Sequence, residues 1–227
     1  MLITIVAATP FEIDPLIIYL KEHFMEKDGL LFEKNDVLVH VLITGVGIPL
    51  TALNLGSYFG KVEPGLAINA GIAGALNLNL KIGDVVNVVS ERFGDLGIEE
   101  SDGRFTDVHE LGLINADETP FEKGVLNNPK AVDQQFLPPA NGLTVNKVHG
   151  NTSSINSVKS KYNADVESME GAAFFLACLM SKVDFIEIRS ISNFVESRNK
   201  ENWNIPLAID NLNQTLIEML KAYSQKK

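Results

Sequence analysis

Short, strongly apolar runs recur along this chain of 227 residues, and helix-length stretches separate them. The runs rich in Val, Ile and Leu predict six strands: Leu2 to Ala8, Val37 to Thr44, Leu66 to Ala70, Asp84 to Ser90, Leu143 to Val148 and Phe185 to Ser190. The stretches with apolar residues three and four positions apart predict four helices: Pro10 to Lys27, Pro49 to Phe59, Ser168 to Lys182 and Ile205 to Ala222. Because most strand runs are almost continuously apolar, the alternation predicts an α/β fold whose central sheet is covered by helices on both faces.

Two segments depart from this alternation. Residues 29 to 44 carry two strand runs around a polar stretch, which predicts a hairpin and therefore a mixed, mainly parallel sheet. Residues 91–142 are polar and contain four prolines, which predicts a long loop or lid. At 24.8 kDa, the whole chain, 1–227, is expected to form one domain built as a three-layer sandwich.

The composition argues against several partners. A net charge of −10 repels a nucleic acid backbone and an anionic membrane surface. No run reaches roughly 18 uninterrupted apolar residues, so no membrane span is expected. The single cysteine, Cys178, cannot form an internal disulfide, and its apolar neighbours favour a buried residue over a nucleophile. A reducing, cytoplasmic location is therefore expected.

Neither a metal nor a bound cofactor is expected. The four histidines lie far apart, and no second cysteine completes a zinc set. The glycines of TGVGIPL, residues 44 to 50, follow a strand, but Leu50 occupies the third glycine position of a dinucleotide-binding fingerprint. The segment therefore favours a tight strand-to-helix turn with Pro49 at the first helical position.

The segment ATPFEID, residues 8 to 14, supports two interpretations of Glu12. With Thr9 as the N-cap and Pro10 at the first helical position, Glu12 completes a capping box and its role is structural. Alternatively, Glu12 lies at the carboxyl end of the first strand, where open α/β sheets bind ligands, and acts as a general base on water. The two roles conflict in part, because a carboxylate turned onto its own backbone does not easily reach a nucleophile.

Two further polar residues each have a structural and a functional interpretation. In VESMEGAAFF, Glu170 either complements the positive end of a helix capped by Ser168 or, among apolar neighbours, binds the hydroxyls of a ribose. In RSISNF, Asn193 is either a turn former or an amide that offers a donor and an acceptor to a ligand.

Four segments occur in a fixed order: ATPFE, NAGIAGAL followed by KIGDVV, SMEGAA and RSISN. In this combination the chain resembles the nucleoside phosphorylase and nucleosidase family, whose best-known hydrolases cleave methylthioadenosine and S-adenosylhomocysteine. The stretches ERFGDLGIEE, VESMEGAAF and RSISNFVESRNKENWNIPLAI make it most similar to the members that hydrolyse futalosine in menaquinone biosynthesis. The resemblance implies a nucleoside phosphorylase-like fold, hydrolysis of an N-glycosidic bond, no cofactor, and a homodimer or higher homo-oligomer.

The resemblance also assigns roles to residues. Glu12 matches the glutamate that activates the attacking water, and Met169 and Glu170 match the pair that packs on the ribose and binds its hydroxyls. Asn193 stands where the adenosine-type nucleosidases carry an aspartate. An asparagine donates to O6 of hypoxanthine and accepts from protonated N7, whereas an ionised aspartate leaves O6 unpaired at a cost of about 1 to 3 kcal/mol. Asn193 therefore favours a 6-oxopurine nucleoside such as futalosine, but an amide cannot supply the proton to N7.

Water is the expected nucleophile. Phosphorylases of the family bind phosphate through arginines of the N-terminal half, whereas this chain has no arginine before Arg92. Ile72 replaces the hydroxyl residue that is usual beside the ribose, which removes one contact there.

The rest of the substrate site is less fully defined. Ser153 is expected at the base, in HGNTSSI, where relatives stack an aromatic ring; Phe93 or Phe105 is expected to supply the ring instead. The lid would cover the carboxyphenyl end of futalosine, with Arg92, Arg104 or Arg198 as the carboxylate partner, although solvated surface arginines are the simpler interpretation.

Several functions stay open beside the favoured hydrolysis of futalosine. The chain could instead be a methylthioadenosine/S-adenosylhomocysteine-type nucleosidase or a purine nucleoside phosphorylase. A non-catalytic purine nucleoside-binding protein would use Glu12 only as a helix cap.

Overall fold

The computed structural model of the protein describes residues 1–134 and 136–225. The predicted domain 1–227 also includes Gln135, Lys226 and Lys227, which lie outside the described residues, and Gln135 belongs to the predicted lid as well. The described part contains five α-helices: α1 Pro10–His23, α2 Ile48–Phe59, α3 Thr152–Lys161, α4 Gly171–Ser181 and α5 Ile205–Gln225. It also contains thirteen strands: β1 Leu2–Ala7, β2 Met25–Asp28, β3 Leu31–Lys34, β4 Val37–Ile43, β5 Leu66–Ala75, β6 Val85–Glu91, β7 Gly97–Glu99, β8 Phe105–Asp107, β9 Phe121–Glu122, β10 Val125–Asn127, β11 Pro139–Thr144, β12 Val166–Ser168 and β13 Phe185–Phe194.

Eleven of these strands form one mixed sheet. β1 lies between β4 and β5 and runs parallel to both. β5 also pairs parallel with β13 and, at its carboxyl end, antiparallel with β12. β13 in turn pairs antiparallel with β6. The expected mixed, mainly parallel sheet is confirmed, and the carboxyl ends of β1, β5 and β13 lie at the same edge.

Helices cover both faces of this sheet. α1 and α5 pack on one face, where their buried side chains meet Ile3 and Ile5 of β1. α2 and α4 pack on the other face, where Val6 of β1 and Val88 of β6 lie. One strand supplies both cores because successive residues point to opposite faces of a sheet. The expected three-layer, single-domain α/β fold is therefore confirmed.

Several predicted helix boundaries are wrong. α1 ends at His23 rather than Lys27, because Met25–Asp28 forms the outer strand of a hairpin. α4 begins at Gly171 rather than Ser168, because Ser168 ends β12, which pairs with β11. In both cases strand pairing overrides the local helical pattern. α2 begins one residue earlier than expected, which makes Pro49 its second residue.

The segment predicted as a long loop or lid contains four short strands, β7 to β10, and the first residues of β11. β7 pairs with β8 in a separate two-stranded sheet, and β9 and β10 extend the main sheet beyond β6. Each has only two or three residues, too few for a periodic pattern in the sequence. A cavity of about 770 Å³ lies between this segment and α3, lined by polar residues that include Arg92, Asp107 and Lys161. A lid function for the segment stays a prediction.

A buried amide joins α5 to the beginning of α1. Asn213 accepts a hydrogen bond from the backbone N–H of Leu16 at 3.0 Å and donates to the carbonyl oxygen of Glu12 at 2.9 Å. In an uninterrupted helix these two groups, four residues apart, would bond to each other. Pro15 disturbs this turn because its ring crowds the carbonyl four residues earlier. Asn213 therefore satisfies the backbone of a disturbed turn and fixes the position of Glu12.

We expect Asn213→Ala to lower the free energy of unfolding by about 2 to 4 kcal/mol, because two buried backbone groups lose their partners. Urea denaturation measures this change. Gln214→Ala, on the exposed side of the same helix, is the matched control and is expected to change stability by less than about 0.5 kcal/mol. Equal stability of the two variants would contradict the proposed anchoring.

Candidate active site

The two carboxylate oxygens of Glu12 have different partners. Oε2 accepts hydrogen bonds from the backbone N–H and the hydroxyl of Thr9, both at 3.2 Å, at the start of α1. The predicted capping box is therefore present. Oε1 accepts a hydrogen bond from the backbone N–H of Ile72 on β5 at 3.2 Å. Capping thus occupies one oxygen and leaves the other beside the carboxyl half of β5.

A buried arginine lies next to this second oxygen. A Cβ on Gly71 would stand 2.5 Å from Nη1 of Arg189 and 2.9 Å from Oε1 of Glu12, so both atoms converge on the space that glycine leaves. Burial raises the pKa of the Glu12 carboxyl, and the negative charge of Glu170 adds to the rise. Arg189 and the N–H of Ile72 oppose it. A raised carboxyl pKa suits a general base that works near neutral pH.

Glu170 stands immediately before the first turn of α4 and is 9% exposed. Its Oε1 accepts a hydrogen bond from the backbone N–H of Gly47 at 2.9 Å. Gly47 has a φ of 93°, which favours glycine, and it precedes the first residue of α2. The glycine turn that follows β4 therefore holds the Glu170 carboxylate through one oxygen. The other oxygen is left for a second partner.

Two more carboxyl groups lie side by side next to Arg189. A Cβ on Gly171 would stand 2.1 Å from Oε1 of Glu91 and 2.6 Å from Oε1 of Glu187, which leaves no space for a side chain. Oε1 of Glu187 is 3.0 Å from Nε of Arg189. Burial raises the pKa of Glu187 to about 7 against the opposing effect of Arg189. Burial and the neighbouring Glu187 raise the pKa of Glu91 well above its ordinary value, so the pair retains a proton at neutral pH.

Asn193 lies at a bulge in β13, opposite Gly74 of β5. Its Oδ1 accepts a hydrogen bond from the hydroxyl of Ser192 at 2.8 Å, and its Nδ2 donates to the carbonyl oxygen of Phe194 at 2.9 Å. Because a carbonyl oxygen can only accept, the Phe194 contact fixes which end of the amide carries the nitrogen. One N–H and one oxygen lone pair of the side chain remain for a ligand.

A cavity of about 60 Å³ brings Asn193 together with His149, Arg198 and Trp203. Nδ1 of His149 pairs with Oε2 of Glu167 on β12, and Oε1 of Glu167 accepts the backbone N–H of His149 at 3.0 Å. The Glu167 side chain is 2% exposed. The imidazole ring is therefore held by a buried carboxylate that also binds its backbone.

The second half of β5 connects the two predicted catalytic residues. Glu12 lies against Gly71 and Ile72, and Asn193 lies opposite Gly74. Three residues of extended strand span about 10 Å. The structure thus places a carboxylate and an amide along one stretch of backbone.

Four other residues predicted to bind the substrate lie in different surroundings. Met169 is half-buried between β12 and α4. Phe93 and Phe105 pack against two separate core clusters. Ser153 is exposed in the first turn of α3, where its N–H donates to the side chain of Asn151 at 2.9 Å. Their roles in binding stay predictions.

The three candidate arginines have distinct environments. Arg92 donates to the carbonyl oxygen of Lys123 at 2.6 Å and lines the 770 Å³ cavity. Arg104 forms an exposed ion pair with Asp102 at 2.7 Å. The guanidinium of Arg198 lies over the Trp203 ring at 5.4 Å. Of the three, Arg198 is the one that lines the cavity of Asn193.

The sequence interpretation missed four charged residues of this region: Glu91, Glu167, Glu187 and Arg189. A signal for two of them was present, because Glu187 and Arg189 alternate within the apolar run FIEIRSI and therefore face the same side of β13. Charged residues inside a buried strand require partners.

Other chemistry is disfavoured or not found in the described part of the chain. Cys178 is fully buried on α4, and burial together with Glu187 raises its pKa well above the ordinary value, which disfavours a thiolate nucleophile. Among residues 1–134 and 136–225, no group of three or more His, Cys, Asp or Glu side chains is arranged to hold a metal ion. Over the same ranges, no helix is both long and apolar enough to cross a membrane.

Comparison with known proteins identifies the family. The chain matches the Phosphorylase superfamily over residues 2–223. It belongs to that superfamily. It is 30% identical to futalosine hydrolase of Acidothermus cellulolyticus over 79% of this chain and 74% of the relative. It is 29% identical to futalosine hydrolase of Thermus thermophilus, over 79% of this chain and 80% of the relative.

A further superfamily relative has a different substrate in its name. The chain is 25% identical to the 5'-methylthioadenosine/S-adenosylhomocysteine nucleosidase of Haemophilus ducreyi, over 84% of this chain and 83% of that protein. These relatives confirm the family resemblance and the expected enzyme class, an N-glycosyl hydrolase.

Solved structures confirm the fold. The 5'-methylthioadenosine/S-adenosylhomocysteine nucleosidase of Campylobacter jejuni superposes with a TM-score of 0.79 at 19% identity and covers 100% of both chains. The Neisseria meningitidis nucleosidase in complex with methylthio-immucillin-A gives a TM-score of 0.75 at 16% identity, with 97% of this chain and 99% of that chain covered.

The buried acid pair predicts a pH dependence of stability. The folded protein holds the Glu187 proton up to about pH 7, whereas the unfolded chain releases it near the ordinary pKa of 4.5. The proton therefore stabilises the folded state at low pH, and this contribution to the free energy of unfolding is lost as pH rises from 4.5 to 7. The loss is on the order of 3 kcal/mol. We expect Glu187→Gln to remove this part of the slope in urea denaturation between pH 4.5 and 7. If the free energy of unfolding changed with pH equally in the variant and the wild type, this prediction would be wrong.

Proposed function

We propose that this chain hydrolyses the N-glycosidic bond of futalosine and releases hypoxanthine and dehypoxanthine futalosine, a step of menaquinone biosynthesis. The observation that carries the proposal is the placement of Glu12 and Asn193 along the same half of β5. The futalosine hydrolase relatives, at 30% and 29% identity, support this substrate.

In this proposal Glu12 receives the proton of the attacking water. The oxygen that takes part is Oε1, which the capping box does not use. Burial raises the pKa of this carboxyl and so makes it a stronger proton acceptor, while Arg189 favours its ionised form. As the purine leaves C1′, positive charge develops on the ribose, as in glycoside hydrolysis, and nearby carboxylates stabilise that charge.

Glu170 and Met169 hold the ribose. The Gly47 N–H fixes one oxygen of Glu170, and the other accepts hydrogen bonds from the ribose hydroxyls. Met169 follows β12 directly and packs on the sugar. Ile72 contributes its backbone N–H to Glu12 rather than a hydroxyl to the substrate.

Asn193 selects the purine. Its Nδ2 already donates to the Phe194 carbonyl, and its second N–H donates to O6 of hypoxanthine. A carboxylate in the same position would face the Phe194 carbonyl with an oxygen at about the present 2.9 Å, a repulsive contact. The amide is therefore the better fit to this backbone and to a 6-oxopurine.

Charge favours water over phosphate as the nucleophile. Arg189 is the cation next to Glu12. The carboxyl groups of Glu187 and Glu170 also interact with the positive charge of Arg189. A phosphate dianion would meet an excess of negative charge there. Hydrolysis is therefore favoured over phosphorolysis.

The second candidate is a 5'-methylthioadenosine/S-adenosylhomocysteine nucleosidase, which the Haemophilus ducreyi relative favours. Asn193 is the feature that argues against an adenine leaving group. A homo-oligomer and a cytoplasmic location are part of the proposal, and light scattering on the purified protein tests the former.

The direct experiment is a substrate panel of futalosine, inosine and methylthioadenosine, each with and without phosphate, with products identified by mass spectrometry. We expect hypoxanthine release from futalosine without phosphate. Glu12→Gln should lower kcat by about 100-fold or more while the protein stays folded, because glutamine retains the capping acceptor. Asp14→Asn, an exposed carboxylate on α1, is the control and should keep full activity. A requirement for phosphate, or faster cleavage of methylthioadenosine, would refute the proposed substrate or reaction.

Asn193→Asp should reverse the substrate preference in part. We expect kcat/KM for futalosine to fall by about 5- to 150-fold, corresponding to the loss of about 1 to 3 kcal/mol at O6. The ratio of methylthioadenosine to futalosine cleavage should rise. Asn79→Asp, on an exposed loop, controls for the added charge and should leave both rates unchanged. An unchanged ratio in Asn193→Asp would remove Asn193 from substrate selection.

A further inference from the structure

The mechanism proposed so far includes no acid that protonates the leaving purine. The purine leaves readily only if a ring nitrogen gains a proton as the bond to C1′ breaks. Asn193 cannot give one because an amide is not an acid. Glu12 and Glu170 act at the water and the sugar, so the proton requires another donor.

Three side chains with ionisable groups line the cavity of Asn193: His149, Glu196 and Arg198. Glu196 is exposed and accepts a hydrogen bond from Asn202, which leaves His149 as the buried candidate. Its ring is mostly buried, with 14% of the side chain exposed. Because Nδ1 is bound to Glu167, Nε2 is the nitrogen free to serve a ligand. Protonated imidazole carries a hydrogen on both nitrogens, so Nε2 can donate while Nδ1 keeps its bond to the carboxylate.

Glu167 fixes this arrangement. It accepts both the ring and the backbone N–H of His149, and it is buried on a strand rather than on a loop. A histidine oriented by a carboxylate on one nitrogen and open on the other is the arrangement of a proton-transfer residue. A purely structural role for this pair would not explain why His149 lines the same cavity as Asn193.

We propose that His149 is the general acid that protonates the departing purine, and that Glu167 is its positioning residue. The inference rests on the proposed nucleosidase function. The electron pair of the C1′–N9 bond passes to the purine, and His149 transfers the Nε2 proton to N7. The water oxygen bonds to C1′, Glu12 takes the water proton, and solvent reprotonates His149. The purine thereby leaves as a neutral base.

The proposal requires the cavity to widen when the base binds. A cavity of about 150 Å³ accommodates benzene, so the present 60 Å³ is too small for a purine. The backbone N–H of Arg198 bonds to the carbonyl oxygen of Gly150, next to His149, at 3.2 Å. For a purine to enter, these two segments have to separate while the bond of His149 to Glu167 stays in place.

A leaving group that needs no proton tests the proposal. N7-methylated futalosine already carries the positive charge that protonation would create. We expect His149→Gln to lower kcat on futalosine by about 100-fold or more and to stay within about threefold of the wild type on the methylated substrate. Glu167→Gln should show the same dependence on the leaving group. His23→Gln and Glu22→Gln, exposed on α1, are the matched controls.

Chemical rescue provides a second readout. Added imidazole should restore futalosine cleavage by His149→Ala at least tenfold, and it should not restore Glu12→Gln. If the methyl group prevents the methylated substrate from binding to the wild-type enzyme, the imidazole rescue tests the proposal instead. Equal losses on both substrates, full activity of His149→Gln, or no rescue would overturn the proposal while leaving the nucleosidase function intact. A wild type that cleaves neither substrate would overturn both.

Discussion

One buried cation organises the acidic end of this sheet. Arg189 is 2% exposed, and four carboxyl groups act on its charge: Glu12, Glu91, Glu170 and Glu187. It lies opposite Gly71 in the β5–β13 pairing, where the absence of a side chain leaves space for the guanidinium and for Glu12. Without this cation several buried carboxylates would lack compensation, which is strongly destabilising. Glu187 is ion-paired with Arg189, yet its pKa is raised because burial outweighs the effect of the cation.

Glu12 shows that a structural and a chemical role can share one side chain. The capping box and the general base are competing interpretations of the same sequence pattern. In the structure the two oxygens of the carboxylate have different partners: Oε2 is bound to Thr9, and Oε1 is bound to Ile72. Helix capping then orients the base, and Asn213 holds the same turn from α5. The position of the carboxylate is therefore fixed from three directions.

The predictability of this fold depends on the length of each pattern. Long apolar runs located β1, β4 and β13, whereas the two- and three-residue strands β7 to β10 carry no detectable period. The helix α3 has a weakly apolar, serine-rich sequence and was missed. In the candidate site, motif resemblance predicted Glu12, Glu170 and Asn193, and their roles stay predictions. It did not locate the pairs of Glu91 with Glu187 and of His149 with Glu167, because those contacts arise only when distant strands pair.

In the proposed mechanism the attacking water, deprotonated at Glu12, bonds to C1′, and hypoxanthine keeps its own oxygen. Turnover of futalosine in water enriched in oxygen-18, quenched before the anomeric hydroxyl exchanges, tests this directly by mass spectrometry. We expect one heavy oxygen in the sugar product and none in hypoxanthine. Heavy oxygen in the hypoxanthine, or a sugar product without it, would rule out attack of water on C1′.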